Sequence, residues 1–214
     1  MKGSTPKQFL LVDEIPVLRM TIEKFIKACP DIRIVTVLPP AYMERWRNYC
    51  IGSSFHHPQV IVAGGITRFH SVRNALEKIP AGAVVAIHDG VRPLVSVELL
   101  SRMFLKMETA RALIPVVPSV DTLRALRKDE NGNFESLEGV CADRSCIFAV
   151  QTPQMFRSED IKKAYSRPYD TSFTDDASVA DAAGIPLSFI EGERYNIKIT
   201  EPADLEVARR LTDL

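Results

Sequence analysis

The sequence predicts one α/β domain over residues 1–214. It would hold a mainly parallel sheet covered by helices on both faces, with a protruding β-hairpin arm at 121–150. Three observations predict this. Strand-like runs such as "DIRIVTVL" (31–38) and "AVVAIHD" (83–89) are rich in β-branched and apolar residues without a regular alternation, the pattern of strands buried on both faces. They take turns with segments of helical period, which is the βα rhythm. That rhythm breaks once, between 121 and 156, where short β-like pieces surround the turn cluster Asp129-Glu130-Asn131-Gly132-Asn133. A chain of 214 residues is long enough for one substantial core.

Each element has its own local reason. Residues 16–29 place Leu18, Ile22, Phe25, Ile26 and Cys29 on one helical face, with Pro16 near the start. The strand 31–38 stops at Pro39-Pro40, and "AYMERWRNYC" (41–50) reads as a helix with a polar face. "QVIVAGG" (59–65) is a short strand ending in glycines. Val72, Ala75, Leu76 and Ile79 line one face of a helix at 71–79. The strand 83–89 is followed by a helix at 96–108 and a strand at 111–118. Beyond the arm come a helix at about 158–166 and a small-residue helix in "TDDASVADAAG", with Thr174 as its N-cap and Gly184 as its stop. "PLSFIEG" and "RYNIKIT" read as strands, and a last helix starts behind Thr200.

Charge excludes one class of function. Lys plus Arg and Asp plus Glu both number 27, so no global basic field exists to hold a nucleic-acid backbone. Phosphate binding would have to be local. No apolar run reaches the ~18 residues of a membrane span, and no signal peptide is visible. The four cysteines form no CxxC pair and have no histidine at zinc spacing, which reads as reduced thiols in a cytoplasmic protein.

Several short stretches carry chemistry. "VVAIHDGVRP" runs an apolar strand into Asp89, Gly90 and Arg92. Ligands of such sheets bind at the carboxyl ends of strands. A carboxylate there can hold a hard divalent cation shared with phosphate oxygens, Gly90 lets a ligand approach the backbone, and Arg92 can grip phosphate bidentately. Taken alone, Asp89 and Arg92 read equally well as a loop cap and its ion-pair partner. In "AGGITRFHS", Gly65 ends a strand, and Arg68 and Ser71 open a helix whose backbone N–H groups favour anions. Lys198 lies between Ile197 and Ile199, so it must snorkel to solvent or meet an anion. Lys7, Arg144 and Thr152, each by itself, read as surface residues. No serine has a nucleophile-elbow context, and the histidines suggest neither nucleophile nor metal.

Seven stretches in order, "TPKQFLLVDEIPVL", "AGGITRFHSVRNAL", "VVAIHDGVRPLVS", "IPVVPSVDTLRAL", "ADRSCIFAVQTPQMF", "TDDASVADAAG" and "YNIKITEPADLEVA", resemble the 2-C-methyl-D-erythritol 4-phosphate cytidylyltransferases of the non-mevalonate isoprenoid pathway. The resemblance runs from Thr5 to the C-terminus. It implies a Rossmann-like nucleotidyltransferase, a homodimer with embracing arms, and a reaction of CTP with the sugar-alcohol phosphate that gives a CDP-alcohol and pyrophosphate. It implies that Lys7 and Lys198 flank the α-phosphate and that Asp89 coordinates Mg²⁺. Gly65, Arg68 and Ser71, with Gly90, would face the nucleotide. Arg92, Thr152 and Thr174 would line the alcohol-phosphate side, and Thr122 and Arg144 would reach into the partner's site. It further implies a first strand and a glycine-rich loop, roughly 15–20 residues, ahead of Met1. Two alternatives stay open on the motifs alone: a ribitol-5-phosphate cytidylyltransferase, and a catalytically impaired nucleotide-binding homologue.

Overall fold

The computed structural model describes residues 5–137 and 143–212. The stretch 138–142 of the expected arm, with Cys141, lies outside the described residues. In chain order the elements are β1 (Leu11–Val12), β2 (Ile15–Pro16), α1 (Val17–Ala28), β3 (Ile34–Leu38), α2 (Pro40–Gly52), β4 (Gln59–Ala63), α3 (Arg68–Leu76), β5 (Val84–Ile87) and α4 (Val97–Lys106). They continue with β6 (Ala112–Pro118), β7 (Leu126–Lys128), β8 (Phe134–Ser136), β9 (Phe148–Val150), β10 (Gln154–Arg157), α5 (Ser158–Tyr165), α6 (Asp176–Ala182), β11 (Ser188–Glu191) and α7 (Pro202–Thr212).

Local chemistry explains many of the boundaries. Asp13 and Glu14 both have positive φ, 48° and 67°, the two-residue turn that joins β1 to β2 as a tight hairpin. The Ser96 hydroxyl accepts from the Leu99 N–H at 2.9 Å and caps α4, which then buries Leu99, Leu100 and Met103 completely. Each such side chain contributes about 1.5–3 kcal/mol when fully buried. Gly184, with φ of 74°, follows α6 in the left-handed region that a C-terminal stop favours.

The central sheet runs β11-β6-β10-β5, with β9 added along the far end of β6. Successive residues of its middle strands serve opposite layers. Ala112, Ile114 and Phe156 pack with Phe69, Leu76, Ile161, Tyr165 and Val179 of α3, α5 and α6. Leu113 and Met155 pack with Phe25, Leu99, Leu100 and Met103 of α1 and α4. Helices therefore cover both faces, as the unbroken apolar runs require. A third cluster gathers Phe9, Leu18, Ile22, Leu38 and Phe55 around a fully buried Trp46, beside the parallel pair β3–β4.

The expectation of a mainly parallel sheet needs correction: the sheet is mixed. β11 is parallel to β6, but β10 is antiparallel to both β5 and β6, and β9 is antiparallel to β6. The physical reason lies in the connection. A covering helix returns the chain to the same end of a sheet and gives parallel neighbours. After β6 the chain instead goes out through the β7–β8 hairpin and comes straight back as β9 and β10, so it runs the other way. The hairpin itself is present, with Leu126↔Ser136 and Lys128↔Phe134 paired, and all its strand residues are exposed.

Three local expectations also shift. α3 begins at Arg68, not at 71, because Thr67 is its N-cap. The N-cap of α6 is Asp175 rather than Thr174, in a reciprocal capping box with Ser178. Residues 194–200 make no strand. Their backbone turns through Asn196 N–H to Glu193 at 3.0 Å, and Ile199 donates its N–H to the Val91 carbonyl at 2.9 Å.

Candidate active site

At the carboxyl end of β5 the chain leaves the sheet as His88-Asp89-Gly90. The end of β5 adjoins the start of β10, since Ile87 pairs with Gln154. Between β9 and β10 the residues Gln151–Pro153 interrupt the strand, with a cis Thr152–Pro153 bond. That interruption turns Thr152 toward Asp89, and the Asp89 N–H donates to the Thr152 hydroxyl at 3.1 Å. Asn196 ties the third segment in: its side-chain amide donates to the Thr152 carbonyl at 2.8 Å. Two residues on, Lys198 reaches the same place.

Three cations converge on the Asp89 carboxylate. Lys198 Nζ lies 3.0 Å away, Arg92 Nε 3.4 Å and Arg68 Nε 3.9 Å. Burial pushes the Asp89 carboxyl up, but Lys198 first, then Arg68 and Arg92, outweigh it and hold the group below its usual range. Arg92 is itself fixed, donating from Nη1 to the Asn196 carbonyl at 2.7 Å. Burial brings the neighbouring His88 imidazole down to about 4, so the ring is neutral at pH 7. It packs edge-on against Phe25 and bonds the Arg92 carbonyl, a positioning contact.

Arg68 is anchored from behind. Its Nη1 and Nη2 donate to the two oxygens of Asp176 at 2.8 and 2.6 Å, and Tyr165 donates its hydroxyl to the same carboxylate at 2.5 Å. Asp176 is fully buried, whereas the Arg68 side chain is 39% exposed. Burial works against the Arg68 charge, but Asp176 and then Asp89 keep the guanidinium firmly protonated. Burial and the Asp176 charge likewise push the Tyr165 hydroxyl far up, so it remains a donor.

Arg68, Asp89, Arg92, Lys198, Thr152 and Thr174 line an open cleft of about 180 Å³. The structure thus brings together six of the residues singled out in the sequence. Gly90 follows Asp89, and Leu18 Cδ1 would lie 3.0 Å from any Cβ there, so packing also favours glycine. Ser71, in the first turn of α3, ties down the Gly65 turn before it: the Gly65 N–H donates to the Ser71 hydroxyl at 3.0 Å, and that hydroxyl donates to the Thr67 carbonyl at 2.9 Å. Lys7, Thr122 and Arg144 are not among the cleft-lining residues. Lys7 starts a short 3-10 turn at Lys7–Phe9. Its charge is the last of several influences that lower the Asp204 carboxyl, after the N–H groups of Thr200 and Glu201. Thr122 and Arg144 stand exposed on the arm. Asp176, Tyr165 and Asn196 were missed in the sequence. "TDDAS" is legible in the sequence as a helix start and, through the resemblance, for Thr174 alone, and nothing local marks a buried tyrosine or asparagine as part of a site.

One consequence can be checked directly. A Cβ on Gly65 would sit 2.4 Å from His70 Cβ, against a helix that cannot yield as a flexible side-chain end can. Gly65→Ala is expected to cost about 1–3 kcal/mol in urea unfolding. It should also lower turnover, because the same turn sets the start of α3 and therefore Arg68.

As to a divalent cation, no group of three or more His, Cys, Asp or Glu that could hold a metal occurs among the described residues. Asp89 and Asp175 are the carboxylates that line the cleft, and both Asp175 oxygens are engaged, one by the Ser178 N–H at 2.8 Å and one by the Gln154 side-chain amide at 2.8 Å, which leaves Asp89 as the candidate ligand. That donor set suits Mg²⁺ only as a one-carboxylate site completed by substrate phosphates and water. No helix among the described residues is long and apolar enough to cross a membrane.

Comparison with known proteins agrees with this arrangement. The family described as 2-C-methyl-D-erythritol 4-phosphate cytidylyltransferase matches residues 1–212. A protein of that name from Bacteroides fragilis is 43% identical over 211 residues, covering 99% of this chain and 93% of the relative. One from Porphyromonas gingivalis is 43% identical over 213 residues, covering 99% and 91%. The crystal structure of the Francisella tularensis enzyme of that name superposes with a TM-score of 0.80 at 29% identity, covering 98% of this chain and 94% of its own. The Anaerococcus prevotii 4-diphosphocytidyl-2C-methyl-D-erythritol synthase, at 22% identity and a TM-score of 0.80 over 97% of this chain and 93% of its own, shares the fold. With a matched family, close relatives along nearly its whole length and the α/β architecture in common, the chain belongs to the 2-C-methyl-D-erythritol 4-phosphate cytidylyltransferase family of nucleotidyltransferases.

Proposed function

We infer that the cleft around Asp89 is where this chain performs the reaction of its family, a cytidylyl transfer in isoprenoid precursor synthesis. CTP and 2-C-methyl-D-erythritol 4-phosphate would give 4-diphosphocytidyl-2-C-methyl-D-erythritol and pyrophosphate. The observation that carries this reading is the convergence of Lys198, Arg92 and Arg68 on one partly buried carboxylate beside an open cleft. An oxygen of the alcohol phosphate forms the new bond to the α-phosphorus of CTP, and the bond from that phosphorus to the bridging oxygen of the β-phosphate breaks. The attacking phosphate is already an anion, so no general base is needed. The obstacle is repulsion between anions.

This chain's residues answer that obstacle with fixed positive charge, which costs no reorganisation when the α-phosphorus becomes five-coordinate. Lys198, only 3.0 Å from Asp89, would transfer its contact to a phosphate oxygen. Arg92, held by Asn196, would face the alcohol phosphate together with Thr152 and Thr174. Lys7 would serve the other flank of the α-phosphate. Its influence on Asp204, which accepts from the Thr200 N–H at 2.7 Å, favours a place near the Lys198 segment. Asp89 would hold Mg²⁺, which when bound neutralises charge on the triphosphate. The reaction would run in the cytoplasm. Pyrophosphate release across four nucleoside triphosphates, with methylerythritol phosphate and ribitol 5-phosphate as acceptors, tests the assignment. Turnover is expected with CTP and the methylerythritol acceptor, and preference for ribitol 5-phosphate would overturn it.

The same reading assigns the arm at 121–150 to a homodimer. Thr122 and Arg144 do not line their own cleft, and the arm exposes Leu126, Phe134 and Phe148. A second copy would cover these side chains and receive Arg144 into its site. Mixing Arg144→Ala subunits with Lys198→Ala subunits is then expected to restore activity that neither variant has alone, because each heterodimer regains one complete site. Additive, unrescued activity would show self-contained sites.

A further inference from the structure

Asp176 and Tyr165 have no role in the reaction outlined above, yet they form a buried polar cluster behind the cleft-lining Arg68. Asp176 is fully buried, and a buried carboxylate is expensive unless paired. Its side-chain partners are the two Nη atoms of Arg68 and the hydroxyl of Tyr165. The three residues come from the start of α3, the end of α5 and the start of α6. Ring stacking reinforces the arrangement, because Phe69, next to Arg68, lies 4.6 Å from Tyr165 at an interplanar angle of 25°.

Geometry gives this cluster a direction. A bidentate carboxylate fixes the plane of a guanidinium as well as its position. With both Nη tips held from behind, the Nε edge of Arg68 is turned toward Asp89, 3.9 Å away, and the side chain stays 39% open on the cleft side. An unheld arginine has about 2 kcal/mol of rotamer entropy to lose on meeting an anion. Here that loss is already met in folding. Tyr165 donates to Asp176 Oδ1, the oxygen that Arg68 Nη1 also uses, so the hydroxyl fixes the carboxylate that fixes the arginine.

Building on the cleft reading of Arg68 as a nucleotide-facing residue, we propose that Tyr165 and Asp176 are positioning residues that pre-set the Arg68 guanidinium for the triphosphate substrate. They act only through Arg68 and touch no substrate themselves.

A double-mutant cycle on the full chain tests this, reading pyrophosphate release with CTP varied at saturating methylerythritol phosphate. Tyr165→Phe keeps the ring that stacks on Phe69 and removes only the hydroxyl. It is expected to lower kcat/KM for CTP about 5–20-fold, mainly through KM, with kcat and the KM for the alcohol phosphate within about twofold. In an Arg68→Ala background the same change is expected to cost less than about twofold, because nothing remains to be positioned. The near-isosteric Asp176→Asn supplies an independent arm of the cycle with the same expected coupling, should Tyr165→Phe lower the Tm. A merely structural staple would lower the Tm without the selective rise in KM for CTP. The proposal is overturned if Tyr165→Phe folds and leaves KM for CTP unchanged, or if its full cost persists without Arg68. Wild-type kinetics in Arg68→Ala would instead remove the nucleotide assignment of the cleft, and the positioning role with it.

Discussion

Replacing Asp89 with Ala is expected to lower kcat at least about 10²–10³-fold while leaving the far-ultraviolet circular dichroism unchanged. The magnitude is that of losing one preorganised electrostatic group at a phosphoryl-transfer site. Asp89 acts twice in the proposed chemistry. It is the cleft-lining carboxylate proposed to hold a cation against the triphosphate, Asp175 being taken up by Ser178 and Gln154, and it is the anion that gathers Lys198, Arg92 and Arg68 to one point. Without it the three cations repel one another and spread, so the transition-state charge loses both its metal and its frame. Asp89→Asn separates the two contributions, because the amide keeps the size and the Thr152 contact to the backbone N–H is untouched. Pyrophosphate release measured against Mg²⁺ concentration is the readout. Wild-type turnover in either variant would remove Asp89 from the site.

Asp176→Ala is expected to cost about 3 kcal/mol of stability, the largest single effect outside the apolar core. Breaking a buried ion pair by deleting one partner typically costs 3–5 kcal/mol. Here the arginine can escape, being 39% exposed, which trims the upper end. Tyr165 cannot escape. It is 2% exposed, and its hydroxyl would be left without the acceptor it uses, a penalty of about 1–3 kcal/mol by itself. Urea unfolding should show a lower midpoint with an unchanged slope, since the surface exposed on unfolding is the same. A midpoint equal to wild type would mean that the cluster contributes nothing net to the fold.

What the sequence determined by itself was local. Helical period placed α1 and α4 to within a residue or two, and α5 was located as closely, because a helix is decided by residues three and four apart. Apolar runs located β3, β4, β5 and β6 and required layers on both faces. Asp89 and Arg92 were legible as a pair because they are neighbours in one loop, and the ordered motifs carried the family.

Tertiary structure decided the rest. Apolarity reports burial, not direction, so it could not tell that the chain returns through the arm and makes β10 antiparallel. Residues 194–200 have strand composition, but the buried Asn196 draws that segment into turns around Thr152 and Arg92 instead. The choice between a surface lysine and an anion-bound one at Lys198 was settled only when Asp89 came within 3.0 Å. Arg68 and Asp176 lie in segments that carry no trace of each other in the sequence. Their pairing exists because α3, α5 and α6 pack on the same face of the sheet, where the buried carboxylate of Asp176 needs a partner and the Arg68 guanidinium supplies it.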